Sequence, residues 1–581
     1  MKIVKSIFLC FFSFASIAQT DFLLHKVDTL KADFRSGGKS NDSLDLYFAE
    51  KQTTLPGGTQ NNPFGVNGND YFNFFQSLTN QYRSTKIASP IFTALPHLGF
   101  MYSVGSGGLQ YLHADFQQTF RGNLHFSMHY NRQVSSTLYK QSDFSADAFT
   151  FSLARYGKHW KHLIEGSSSK FVRALNGGVS SDNKMLNSYG LEYAPINKAL
   201  AKDSSNRYYL QQQSVWNFLP IDSLRKLETG LVFSNQLRVE RRIYRETDSI
   251  AKLYPYFSNP TFTRDLSQWS FLESGVSYFL KSKSQISTVG INRVYWIYKT
   301  NASQIKNALN ITLNSTWNFG NTKLNYAMMQ NLVGQGKQFS HAFQLTNTQK
   351  YGVHVLELTN SQMVPEPLQR LYFGNTIAWK IPTVEKQGLL AMAYTFSVKS
   401  TWKPFIKVGY KQMQNTYFLL QDSWRNDTLT HVQQLFVSTS CDIRMGKFHI
   451  QPRITLNYLN KNISLLPKYD IRARLFFKTT IKHKEKYEFI VGTDVYTKSS
   501  YALMNFDSPW GLYSVKNPMN LSYASVVQLD AFMGVSIDEI RFYFKYENID
   551  NAWNPRANRV AINYPVMPRI LRIGLTWDFL N

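Results

Sequence analysis

The chain is poor in cysteine, with two in 581 residues. Cys10 lies in an apolar run near the start, so beyond that run only Cys441 remains, which excludes an intramolecular disulfide and a cysteine-based zinc cluster. Leu9 precedes Cys10 where lipidation calls for a small residue, so no lipid anchor is read. Long hydrophobic stretches are missing too. No run beyond the first segment approaches about 18 apolar residues, and the mean hydropathy is −0.31, which excludes transmembrane helices. There is no Gly-x-Ser-x-Gly elbow, no His-Glu-x-x-His pair and no phosphate-cradling glycine loop, so no hydrolase, metalloprotease or nucleotide-binding motif is marked. Acidic residues are scarce as well, 38 against 64 Lys and Arg, for a formal charge of +26. The cations are interspersed, without the basic run expected of nucleic-acid binding. Two reasons for the excess remain, an anion-attracting lumen or a rim that grips lipopolysaccharide phosphates.

What is present begins at the two ends. Lys2 and Lys5 precede an apolar run from Ile7 to Phe14, followed by Ser16-Ile17-Ala18. This is the pattern of a cleaved secretory signal peptide over residues 1–18, and its removal leaves a formal +24. At the other end Leu571, Ile573, Leu575, Trp577 and Phe579 alternate with Arg572, Gly574, Thr576 and Asp578. One greasy face and one wet face suit a strand between hydrocarbon and a polar lumen. Export together with such a strand points to the outer membrane.

Residues 19–95, with Gly-Gly-Lys-Ser-Asn near position 40 and Gly57-Gly58-Thr59-Gln60-Asn61-Asn62, show little alternation. They read as an irregular periplasmic arm or partial plug, short for the plug of a TonB-dependent transporter. From residue 96 to 581 the period of two recurs. Ile471, Ala473, Leu475, Phe477 and Thr479 share one face, and Tyr487, Phe489, Val491, Thr493 and Val495 resume after a polar turn at 482–486. A second unit runs from Leu435 to Met445 and from Phe448 to Tyr458 across Gly446-Lys447, a hairpin-type loop. Gly320-Asn321 makes a similar turn. Aromatics, at 15% with 34 Tyr, 43 Phe and 11 Trp, fit interfacial girdles. Short turns alternate with longer segments at 181–207, 245–268, 499–521 and 548–567, as in barrels with short periplasmic turns and long outer loops. The expected fold is an all-β, transmembrane, antiparallel up-and-down barrel of about 16 strands, with 14 to 18 as the range, from strands of about 9–11 residues.

The wet faces carry the candidate site. Arg453, Arg472, Arg474, Lys478, Arg541, Lys545 and Arg572 fall at positions expected to face inward, mixed with Asp494, Asp530 and Glu547. Two readings stay open, cross-strand charge pairing that stiffens a wall and a lumen that favours anions. His125 and His129 suggest a metal, but four residues along a strand span about 13 Å, too far for one ion. The run Lys158-His159-Trp160-Lys161-His162 reads as a solvated turn or an interfacial belt. No metal, cofactor or catalytic residue is expected.

Tyr546-Glu547-Asn548-Ile549, Asn563-Tyr564-Pro565-Val566-Met567-Pro568-Arg569 and Gly574-Leu575-Thr576-Trp577-Asp578-Phe579 resemble the closing hairpin of the putative porin family of Bacteroidota. Asp115-Phe116 to Tyr130, Arg132 and Asn176-Gly177-Gly178-Val179 are similar to that family's first strands. The resemblance implies an outer-membrane barrel of diffusion or transport function and no catalytic residues. The favoured expectation is a porin for passive diffusion of small polar or anionic solutes. The rival is a closed barrel acting as scaffold or assembly partner for secretion or surface-protein export, which a lumen blocked by Phe476, Phe532 and Tyr543, or by residues 19–95, would favour. Expected partners are outer-membrane lipid and lipopolysaccharide, the barrel-assembly machinery that reads the last strand, small solutes, and a second copy or an export component.

Overall fold

A computed structural model describes residues 96–580 apart from stretches within the connections between strands, the longest of them 180–194. The expected signal peptide at 1–18 and arm at 19–95 lie outside the described residues.

A single antiparallel sheet closes on itself. Its 22 wall strands are β1 (His97–Gly105), β2 (Leu109–Phe120), β3 (Leu124–Ser135), β4 (Phe144–Tyr156), β5 (Trp160–Ala174), β6 (Ala201–Leu219), β7 (Leu227–Glu246), β8 (Thr263–Ser282), β9 (Gln285–Lys299), β10 (Ser303–Phe319) and β11 (Thr322–Val333). They continue as β12 (Phe339–Thr348), β13 (Gly352–Met363), β14 (Gln387–Val398), β15 (Phe405–Gln414), β16 (His431–Ser440), β17 (Phe448–Leu459), β18 (Tyr469–Thr480), β19 (Tyr487–Ala502), β20 (Tyr523–Ile537), β21 (Ile540–Glu547) and β22 (Ile570–Leu580). Ile443–Met445 prolongs β16 past a break and pairs with β17. Each strand pairs with its neighbours in sequence. The first pairs with the last, from His97 opposite Leu580 to Gly105 opposite Arg572, so the wall has no free edge.

The strand number exceeds the expected 16. The expectation spread its strands loosely over residues 96–581, but the turn from Gly105 to Leu109 and that from Lys299 to Ser303 are short on the long-loop side as well, so fewer residues are used per strand. The two expected hairpins form, with Thr480 opposite Glu488 and Met445 opposite Phe448 around a left-handed Gly446. Gly320, also left-handed, turns β10 into β11 with Phe319 opposite Thr322.

Connections sort by end. Both ends of the barrel wall lie on the side of the short turns, while, among the described residues, the four small hairpins outside the wall all lie in connections on the other side, such as Leu371–Phe373 with Ala378–Lys380 and Asn505–Asp507 with Leu512–Ser514. In outer-membrane barrels the short-turn side is the periplasmic one.

Period-two alternation decides which side chain enters the interior. On β22 Arg572, Gly574 and Thr576 are buried, while Leu571, Ile573 and Trp577 are exposed on the outside. Large side chains on the inner face are accommodated by glycine. Tyr543 is the register partner of Gly574 and Phe532 that of Gly492. Phe436 faces Gly409, and Phe279 faces Gly230. A Cβ on Gly492 would come within 2.6 Å of the Phe532 ring, and one on Gly230 within 2.7 Å of the Phe279 ring. Each ring thus occupies the slot that a glycine leaves open on the adjoining strand. Tyr543, Phe532, Phe476, Ile490 and Met101 form one buried apolar cluster on this wall.

Candidate functional site: the inner wall and the mouth

Five adjacent strands, β18 to β22, place oppositely charged groups on one lattice. Asp494 and Asp530 are register partners, and so are Lys545 and Arg572. Like charges opposite one another repel, but the diagonal neighbours have the opposite sign and supply the attraction. Lys545 Nζ lies 3.4 Å from an Asp530 oxygen and 3.3 Å from Glu547, and the Arg572 guanidinium donates to Glu547 at 3.1 Å. Asp530 also accepts the backbone N–H of Asn548 at 2.9 Å. Lys545, Asp530, Glu547 and Arg572 are all nearly inaccessible, at 1–4% exposure, so these charges belong to the wall. Arg474 pairs with Asp494 at 3.0 Å and Lys478 with Glu488 at 2.7 Å.

Two of the ten expected lining residues stand apart. Arg453 is exposed on β17 and is the register partner of Arg472 on β18. Arg472 reaches Asp470 at 3.4 Å, whereas neither Arg453 nor Arg541 has an ion-pair partner among the described residues. Arg453, Arg472, Arg474, Asp494, Asp530 and Lys545 all border one cavity of about 510 Å³ on the inner wall. Lys478 and Arg541 lie nearer the short turns, and Glu547 and Arg572 nearer the long loops.

Elsewhere the same chemistry recurs. Asp203 holds Arg173 at 2.8 Å and Arg242 at 2.9 Å, and Glu228 holds Lys161 at 3.1 Å and Lys281 at 3.5 Å. Lys161 therefore turns inward from the run that the sequence marked at 158–162, while Trp160 turns outward and stacks on Trp216 with ring centroids 5.4 Å apart. His125 and His129 both face inward and are buried, His125 against the Thr119 hydroxyl at 3.2 Å.

Sequence reading missed what the long connections do. Arg242 on β7 donates to the carbonyl of Pro509 at 2.7 Å, although Pro509 belongs to the β19–β20 connection on the far side of a 22-strand ring. Phe506 of that connection lies 5.4 Å from the Arg173 guanidinium and meets Tyr564 edge-on. The N–H of Val179 donates to the carbonyl of Asn563 at 2.8 Å. Gly177 and Gly178 are both left-handed, and a Cβ on Gly178 would meet Asn563 at 2.8 Å, so the Asn176-Gly177-Gly178-Val179 stretch is shaped by its contact with Asn563. At the top of β8, Asn375 of the β13–β14 connection donates its backbone N–H to Asp265 at 2.7 Å and accepts from the N–H of Ser258 at 2.9 Å. Tyr372 in the same connection is completely covered; burial, and after it the charge of Asp265, push its phenol well above the ordinary value.

A family model described as "Putative porin" matches residues 19–581 of this closed barrel with its charged inner face. The chain belongs to that family. No curated protein matches it. Among solved structures this porin-family barrel is similar to a mutant form of the ferric enterobactin receptor PfeA from Pseudomonas aeruginosa, in complex with enterobactin, at 9% identity and a TM-score of 0.59, covering 84% of this chain and 82% of that one. It is also similar to the siderophore receptor PirA from Acinetobacter baumannii (11%, 0.58, 84% and 81%) and to the FrpB iron transporter from Neisseria meningitidis (9%, 0.58, 84% and 82%). At such identity the likeness concerns the fold. The family match, together with this fold, places the chain among large outer-membrane barrels.

Proposed function

We propose that this porin-family barrel passes small polar or anionic solutes across the outer membrane by diffusion through its lumen, with no chemical step. The observation that carries the reading is the inner wall itself: inward aromatics are seated over glycines, and the charges are held in a paired lattice. Both devices keep bulk and charge in the wall. Of the expected lining set, Arg453 and Arg541 are then the cations left to act on a solute, and an excess of such Arg favours anions. The last strand, Leu571, Ile573, Leu575, Trp577 and Phe579, is the segment offered to the assembly machinery. Single-channel conductance of the refolded protein in a planar bilayer, read under a salt gradient, tests the proposal. Stable open steps with anion preference support it. Silence from a folded, heat-modifiable barrel removes it.

A second reading has its own support. The β19–β20 connection reaches the opposite wall at Arg242, and the β5–β6 and β21–β22 connections meet each other over the mouth. Such crossing connections suit a closed barrel that serves as scaffold or assembly partner for export, and silence in the bilayer would favour it.

A further inference from the structure

The outside of the barrel carries a group of cations whose own strands offer no outward carboxylate. Strands β6, β7 and β8 have 19, 20 and 20 residues, roughly twice the 9–11 that a bilayer requires. Their lower ends lie level with the stacked Trp160 and Trp216, so the surplus rises beyond the membrane on the long-loop side. Two rows of cations cross this tall region on its outward face. In the upper row Lys202, Arg245 and Arg264 are register partners on β6, β7 and β8. The lower row runs Lys170, Asn206, Arg241, Gln268 and Lys299 over β5 to β9, alternating cation and carboxamide. All six cations are exposed. No Asp or Glu occupies an outward position on these five strands. The flanking carboxylates are engaged elsewhere: Asp147, opposite Lys170, is paired with Arg132 at 3.1 Å, and Asp248 accepts the backbone N–H groups of Ala199 and Leu200.

Like charges directly opposite on a sheet destabilise it, and here three adjoining strands set Lys, Arg and Arg side by side about 5 Å apart. An anion of several charges would turn that repulsion into attraction, and Arg suits phosphate through its planar fork of donors. The surface below the rows is different. Tyr208, Leu210 and Leu237 are exposed there and lead into the apolar belt. Cations above and hydrocarbon-compatible surface below define an amphipathic ligand.

We propose that the outward face of β5 to β9 binds a phosphorylated, multiply acylated glycolipid of the outer leaflet, lipopolysaccharide in chemical class. Its phosphates sit on the two cation rows, and its chains lie along the apolar face beneath. The site rests on the outer-membrane orientation but not on passage through the lumen, and conductance is unaffected by its loss.

The test uses the full barrel refolded without lipopolysaccharide, and native mass spectrometry of bound lipid with a melting curve beside it. The probes are bisphosphorylated lipid A, the same lipid with both phosphates removed, and inorganic phosphate. Wild type should hold the bisphosphorylated lipid at least about tenfold more tightly than the variant Lys202→Gln/Arg245→Gln/Arg264→Gln. The charge-keeping variant Lys202→Arg/Arg245→Lys/Arg264→Lys should retain binding. Heat-modifiable migration establishes that each variant is folded; should the triple variant not fold, Arg245→Gln alone carries the test, with a smaller loss in the same direction. Equal binding by wild type and the folded Gln variant overturns the proposal, as does equal binding of the dephosphorylated lipid. A melting gain from inorganic phosphate as large as that from lipid A would make this a small-anion site and overturn the lipid assignment.

Discussion

The ring of Tyr543 fills the place where a side chain on Gly574 would be, one strand away and in direct register. Adding a methyl group at Gly574 must move the ring or the strand. Gly574→Ala should therefore lower barrel stability by about 1–3 kcal/mol, the usual cost of overpacking, seen as an earlier loss of heat-modifiable migration. Tyr543→Ala combined with Gly574→Ala should recover part of it. A variant as stable as wild type would mean that the ring is free to leave the wall.

Lys545 lies between Asp530 and Glu547 at 4% exposure. Removing one partner of a buried set leaves the rest uncompensated, typically at a cost of about 3–5 kcal/mol. Lys545→Ala should thus impair folding without a specific effect on ion selectivity. A well-folded Lys545→Ala barrel with altered selectivity would place this amine in the solute path.

Arg453 and Arg541 have no such partners among the described residues, and the double variant Arg453→Glu/Arg541→Glu should fold normally. Under the passage reading its reversal potential in a salt gradient moves toward cation preference. An unchanged reversal potential in a conducting variant would take both residues out of the path.

Shortening the β19–β20 connection by replacing 505–514 with a short Gly-Ser turn removes the contacts of Pro509 with Arg242 and of Phe506 with Arg173. Conductance should rise, because the connection that crosses the mouth is gone. The same conductance in both proteins would show that the connection does not restrict passage.

Cys441 follows β16 on the short-turn side. A bulky maleimide too large for the lumen should label it when the periplasm is opened and leave it untouched in intact cells. The reverse pattern would invert the barrel in the membrane.

The wall was legible because a strand writes its two faces directly into the sequence: β22, β18 and the Gly446-Lys447 turn could be read residue by residue. Inward positions such as Lys545 and Arg572 followed from the same parity. Their burial did not, since it depends on Asp530 and Glu547, which become diagonal neighbours only when register is set. The strand total was missed for a related reason: segments such as β1 and β12 are too short to stand out, and the sequence does not reveal which connections are tight on the long-loop side. Contacts over the mouth were hidden as well. Nothing in Pro509 announces Arg242, and nothing in the paired glycines at 177 and 178 names Asn563 as the segment they meet.

The seam between His97 and Leu580 imposes an order of events. The opening strand of the wall must wait, unpaired on one side, until β22 has been synthesised and delivered. Until that moment the sheet has two bare margins, each a template for a stranger's strand. Losing β22 through a late stop codon would then do more than shorten one wall. It would leave a ribbon that can never become a cylinder, and the cell would meet it as aggregate.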